Sequence, residues 1–167
     1  MADTQSIILA ILREHVPAIG KWLSKKPIRK AANTAMDLEF WPDGMLEELT
    51  FLAKGEGTKA RFKKLEKKLK STAGEVEEII EGLKRSRSQI SKLKDGEIVV
   101  TQINQIAFNQ EVGKSAIRRD IESLIRSHKS TQAVNNDYIR NQSLMICNAI
   151  DAFNAGLHRL KRLVYDL

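Results

Sequence analysis

A single cysteine, Cys147, rules out any internal disulfide framework. It lies in the apolar run Leu144-Met145-Ile146-Cys147, with no histidine near it in sequence, so it reads as a small core hydrophobe and not as a nucleophile. Aromatic residues are also scarce: five Phe, two Trp and two Tyr. A core made chiefly of Leu, Ile, Val and Ala suits packed helices better than a sandwich or barrel. No stretch approaches the ~20 consecutive apolar residues of a membrane-spanning helix. The run Ile7–Leu12 follows the acidic Asp3, lacks a basic lead and is not followed by a small-residue cleavage site. The expected compartment is therefore cytoplasmic.

Signatures of chemistry are equally sparse. His15, His128 and His158 fall on three different expected helices, none with a second ligand at metal-binding spacing. Inward Glu-x-x-His pairs, which a di-metal bundle requires, do not occur. Gly113-Lys114-Ser115 has the ending of a phosphate-binding loop, but Phe108 stands where its first glycine belongs. Helical RNases of the HEPN family carry Arg, four to six residues, then His, and no histidine here has an arginine at that distance. The Lys-Gly context of histidine phosphotransfer bundles is missing too. The expectation is a protein that is not an enzyme, takes no cofactor and has no small-molecule substrate.

What the chain does contain is a long hydrophobic seam. Phe62, Leu65, Leu69, Thr72, Val76, Ile79, Leu83, Ser86, Ile90 and Leu93 alternate steps of three and four, and eight of the ten are apolar. Such spacing keeps one stripe on the same side of a helix, which must then lie against other helices. It predicts a helix from Lys59 to Lys94, with Thr58 as N-cap and Asp95-Gly96 as its stop. Val99, Ile103, Ile106, Gln110, Gly113, Ile117, Ile121, Leu124 and His128 predict a second, from Glu97 to Lys129. After Ser130-Thr131 as a start signal, a third runs from Ala133 to Leu167. Its face is broad: Tyr138, Met145, Ile146, Ala149, Ile150, Ala152, Phe153, Gly156, Leu157, Leu160, Leu163, Val164 and Leu167. That breadth makes it the most central helix, and Ala149, Ala152 and Gly156 offer room for close approach.

Residues 1–57 hold shorter pieces: Thr4–Lys26 bent at Pro17, a stretch from Pro27 to before Trp41-Pro42, and Gly44–Lys54 capped by Asp43 with Glu47 and Glu48 in its first turn. Gly55-Glu56-Gly57 reads as a flexible joint. The whole predicts one all-α domain, 1–167. Three long helices (58–167) form an antiparallel up-down array, with the amino-terminal helices packed on it as a four- or five-helix bundle.

Charge is distributed unevenly. The net charge is +7, and residues 59–94 carry the whole of that surplus, with twelve basic against five acidic side chains. At its start Lys59, Arg61, Lys63, Lys64, Lys67, Lys68 and Lys70 face only Glu66. Cations at a helix amino end cost ~0.3–1 kcal/mol each at low salt, so this order does not serve helix stability. It points to an anionic partner, most simply nucleic acid within a larger complex. Arg85 and Arg87 further along, and Arg118, Arg119 and Arg126 on the next helix, extend the candidate surface. A solvated face, or pairing with acids on another helix, explains the same run equally well.

Two other partner classes follow from apolar surface. The seam and the broad third face predict self-association or docking onto a protein partner. The amino-terminal helix, with Ile7, Ile8, Ile11, Leu12, Ile19 and Trp22 followed by cations, has the make-up of an interfacial membrane helix. The same face serves equally well as one wall of the bundle core.

Overall fold

The computed structural model describes residues 2–24, 44–71, 75–108 and 116–167. All regular structure among them is helical: α1 (Thr4–His15), α2 (Pro17–Ser24), α3 (Met45–Ala53), α4 (Lys59–Ser71), α5 (Glu75–Ile90), α6 (Gly96–Phe108), α7 (Ala116–Thr131) and α8 (Asp137–Tyr165). The chain is all-α, as the seam requires.

The seam faces inward. Phe62, Leu65, Leu69, Ile79, Leu83, Ser86 and Ile90 are buried, while Val76 and Leu93 are half-buried against the core. Thr72 lies outside the described residues, as do the Pro27–Trp41 stretch, Asp43, Gln110, Gly113 and the cations Lys25, Lys26, Arg29 and Lys30. The continuity of the first two expected rods also falls there, across 72–74 and 109–115. On either side of those residues the packing partners change: α4 rests on α3 and α7, α5 on α1 and α6. The third helix is continuous for 29 residues and touches α1, α3, α6 and α7, so it is the central rod expected from its broad face.

Burying Phe62 and Leu65 contributes roughly 1.5–3 kcal/mol each. That outweighs the ~0.3–1 kcal/mol lost per cation at a helix amino end, so α4 forms despite its adverse charge order. Its cap is the expected one, since the Arg61 amide donates to Thr58 Oγ1 at 3.2 Å.

Several boundaries differ from those read in sequence. The amino-terminal helix is cut at Val16, and Pro17 opens α2, where its missing N–H costs nothing. Arg13 Nε donates to Ser24 Oγ at 2.9 Å, tying the two pieces together. Helix α3 is entered from Gly44 in the left-handed region (φ 79°), with no side-chain cap. Helix α5 stops at Ile90 and not at Lys94, because tight turns then close through Leu93 N–H to Ile90 O and Gly96 N–H to Leu93 O. Ser130-Thr131 does not start α8. Both residues complete α7, and the cap is Asn136, whose Oδ1 accepts from the Ile139 amide at 2.9 Å.

The inward face of the amino-terminal half of α8 also differs from the expected one. Tyr138, Met145, Ala152 and, at the far end, Leu167 are exposed, and Ile139, Ser143, Ile146 and Cys147 take the inward positions. The joint at Gly55–Gly57 is tied down on the same helix entry. Gly57 N–H donates to Asn135 Oδ1 at 2.5 Å, and Asn135 Nδ2 donates back to Gly57 O at 3.2 Å. A Cβ on Gly57 would stand 2.0 Å from the Val134 carbonyl oxygen, so only glycine fits.

Candidate functional site

The strongest concentration of charge sits on α4, and its neighbours fix how that helix is presented. Phe62 stacks on the buried His128 of α7 with ring centres 3.9 Å apart. His128 Nδ1 lies 2.8 Å from the Ala133 carbonyl, so the imidazole is held on both sides. It therefore works as a packing group between helices. With Phe62, Leu65 and Leu69 turned inward, Lys59, Lys63 and Lys67 come to the outer side on successive turns, all exposed. A four-residue step is about 6 Å along a helix axis. None of the three has an ion-pair partner among the described residues.

The other candidates divide by what they touch. Arg61 is committed internally. Its Nη1 lies 3.2 Å from Glu48 Oε2, its Nε donates to Glu56 O at 3.0 Å, and its guanidinium stacks over the Phe51 ring at 3.6 Å. Lys64 approaches the same carboxylate at 4.0 Å but remains open to solvent. Lys68 is half-buried, with Nζ against Gly44. Lys70 pairs with Glu66 at 3.3 Å, and Lys129 of α7 reaches the same Glu66 oxygen at 2.6 Å. Arg118 Nε lies 3.2 Å from Glu122, within ion-pair range but not aligned for a hydrogen bond. Arg119 is exposed, and exposed Arg126 donates to Ser123 Oγ at 2.9 Å.

Arg118, Arg126 and Lys70 line one groove between α4 and α7, so the two helices do place their cations on a common side. Arg85 and Arg87 belong elsewhere. Arg85 borders a groove of about 600 Å³ between the α1–α2 corner and α5. Arg87 donates to Asn104 Oδ1 at 2.7 Å and lies over the Phe108 ring.

Sequence reasoning missed Glu48 and Lys129. Glu48 had a legible signal: it shares the face of Met45, Leu49 and Leu52, and a carboxylate on an apolar face demands a cation. Lys129 had none, because its partner Glu66 is 63 residues away. The Lys129 ammonium holds the Glu66 carboxyl below its ordinary value, with a smaller contribution from Lys70. Burial pushes the Cys147 thiol up, which makes it inert, in keeping with its reading as a core residue.

Among the described residues no cluster of His, Cys, Asp and Glu could hold a metal ion, and no helix is long and apolar enough to cross a membrane. Ile8, Ile11, Leu12, Ile19 and Trp22 are buried and Ile7 is half-buried, so the amphipathic face of the amino-terminal helices is already spent on the core. Comparison with protein-family models, curated proteins and solved structures gives no match. The chemistry of the site therefore rests on its own side chains: a row of ammonium groups without partners among the described residues, beside a groove of mixed charge.

Proposed function

We propose that this protein is a non-enzymatic helical binding or assembly module whose α4 lysine row contacts the phosphate backbone of nucleic acid. The observation that carries this reading is the exposure of Lys59, Lys63 and Lys67 on consecutive turns without partner carboxylates among the described residues. Their ~6 Å repeat is of the order of the spacing of phosphates along a strand. The aromatic within the row, Phe62, is buried against His128 and cannot stack on bases, which favours a duplex or structured RNA over stacked single-strand bases.

Contact through this row predicts sequence-independent binding that weakens steeply with salt, with a log–log slope of about −3 for three phosphates neutralised. Replacing Lys63 and Lys67 together by Glu removes retention on heparin and binding to a duplex, and leaves the melting temperature within about 2 °C, because surface changes cost little. Failure of the natural protein to bind duplex at low salt discards the reading.

A second reading, docking of a protein partner or a second copy, is favoured by one observation: Tyr138, Leu144 and Met145 are exposed together on α8, Met145 by 62%. The mass of the protein in solution tests self-association directly. Membrane activity would require the amino-terminal face to leave the core first. Leakage from anionic vesicles tests it.

A further inference from the structure

The groove between α4 and α7 encloses about 380 Å³ and gathers Lys70, Arg118, Arg126 and Lys129 around Glu66 and Glu122. Leu69 and Ile125 form its apolar floor. One oxygen of Glu66 receives ammonium groups from both helices, Lys129 at 2.6 Å and Lys70 at 3.3 Å, while both lysines stay largely exposed. A carboxylate held by converging cations above an apolar floor has the surroundings that a phosphate group seeks.

We propose that this groove is a phosphate-group subsite and that Glu66 is its built-in competitor, an internal anion that a bound phosphate must displace. The proposal deepens the nucleic-acid reading and rests on it for the identity of the ligand. The cation set carries it further. Among the described residues Arg126 spends its guanidinium on the Ser123 hydroxyl alone, and Arg118 faces Glu122 without an aligned hydrogen bond. Both planar forks therefore keep donors for a tetrahedral oxyanion. Lys67 of the outer row is three residues before Lys70 of the groove on the same helix.

The test compares the full chain with Glu66→Gln, Arg126→Gln and a charge-matched control, Glu97→Gln, which changes an exposed residue on α6, a helix whose main packing partners are α5 and α8. The probes are a fluorescein-labelled 20-base-pair DNA duplex with and without 5′-phosphates, and inorganic phosphate followed through the arginine Nε–H resonances. Glu66→Gln is expected to tighten the duplex about fivefold beyond the control, and Arg126→Gln to weaken it by a similar factor. A preference for the 5′-phosphorylated duplex assigns the groove to a terminal monoester. Equal affinity assigns it to the backbone diester. If Glu66→Gln lowers the melting temperature but binds no better than the control, Glu66 is a strut and the proposal is overturned. Shifts of the Arg118 and Arg126 resonances with inorganic phosphate, without duplex binding, keep the groove as a phosphate site and discard nucleic acid as its source. Duplex binding that ignores Glu66 and Arg126 keeps the lysine row and discards the groove.

Discussion

Removing the Arg61 guanidinium separates the structural from the functional share of the basic run. Arg61→Ala leaves Glu48, whose side chain is only 8% exposed, facing a single lysine at 4.0 Å. It also deletes the stack on Phe51 and the hydrogen bond to Glu56 O. A hydrogen bond to a charged group contributes about 1.5–3 kcal/mol, and a partly exposed cation–π contact about 0.5–1. Breaking a fully buried ion pair costs about 3–5 kcal/mol, which sets the ceiling. Arg61 keeps a quarter of its side-chain surface in water and Lys64 remains as a partial substitute, so the expected loss is about 2–3 kcal/mol. For a chain of this size that lowers the melting temperature by about 5–10 °C. Arg61→Lys is expected to recover less than half, because an ammonium cannot make the fork and the stack together. Glu48→Gln in the Arg61→Ala background restores part of the loss by removing the unpaired charge. Circular dichroism melts of the four proteins, with Lys63→Ala as a surface control, provide the measurement. If Arg61→Ala melts within about 1 °C of Lys63→Ala, the pair is a surface ornament and the account of α3–α4 docking is wrong.

Glu66 gives a pH signature. Its folded carboxyl titrates below the ordinary value of 4.5, so the stability it contributes is present above that value and fades as pH falls through the lowered one. The melting-temperature gap between the natural protein and Glu66→Gln should close on acidification below pH 4.5, and a constant gap refutes the α4–α7 tie. Ser143 is fully buried on α8 with its hydroxyl unpartnered among the described residues, so Ser143→Ala should stabilise by about 1 kcal/mol in urea titrations, and destabilisation would reveal a missed partner. A Cβ at Gly82 would stand 2.2 Å from the His15 carbonyl oxygen, so Gly82→Ala should cost about 1–3 kcal/mol by forcing α1 off α5, and a neutral result would show that the crossing is loose. Cys147 should resist thiol reagents until the protein unfolds, and fast labelling of the native state would place it at the surface.

The seam was legible because burial on a helix obeys a fixed period. From Phe62 to Ile90 the residues chosen by spacing alone are inward wherever they are described, apart from the half-buried Val76. Helix ends were less legible, because competing local partners decide them. Thr131 could open a helix, but its hydroxyl instead donates back to Ser127 O at 2.7 Å, closing α7, and Asn136 takes the cap five residues later. Tyr138 and Met145 were assigned inward and point outward, because each lies one residue, about 100° of helix rotation, before the buried Ile139 and Ile146.

Charge behaves differently from apolar surface, and this limits what a basic run can reveal. An apolar side chain needs only to be covered, so its periodicity suffices. A cation's role depends on which carboxylate the fold brings near. Arg61 and Lys63 are two residues apart in the same helix, yet one serves the buried Glu48 and the other faces water. Glu66 was expected to be outnumbered on its own helix. It instead draws Lys129 from α7, so the acid that weakens the basic run also binds the two helices that frame the groove. The lysines without an ion-pair partner among the described residues lie off the inward face of Phe62, Leu65 and Leu69. That placement, set by packing, makes Lys59, Lys63 and Lys67 the residues on which phosphate binding must first be tested.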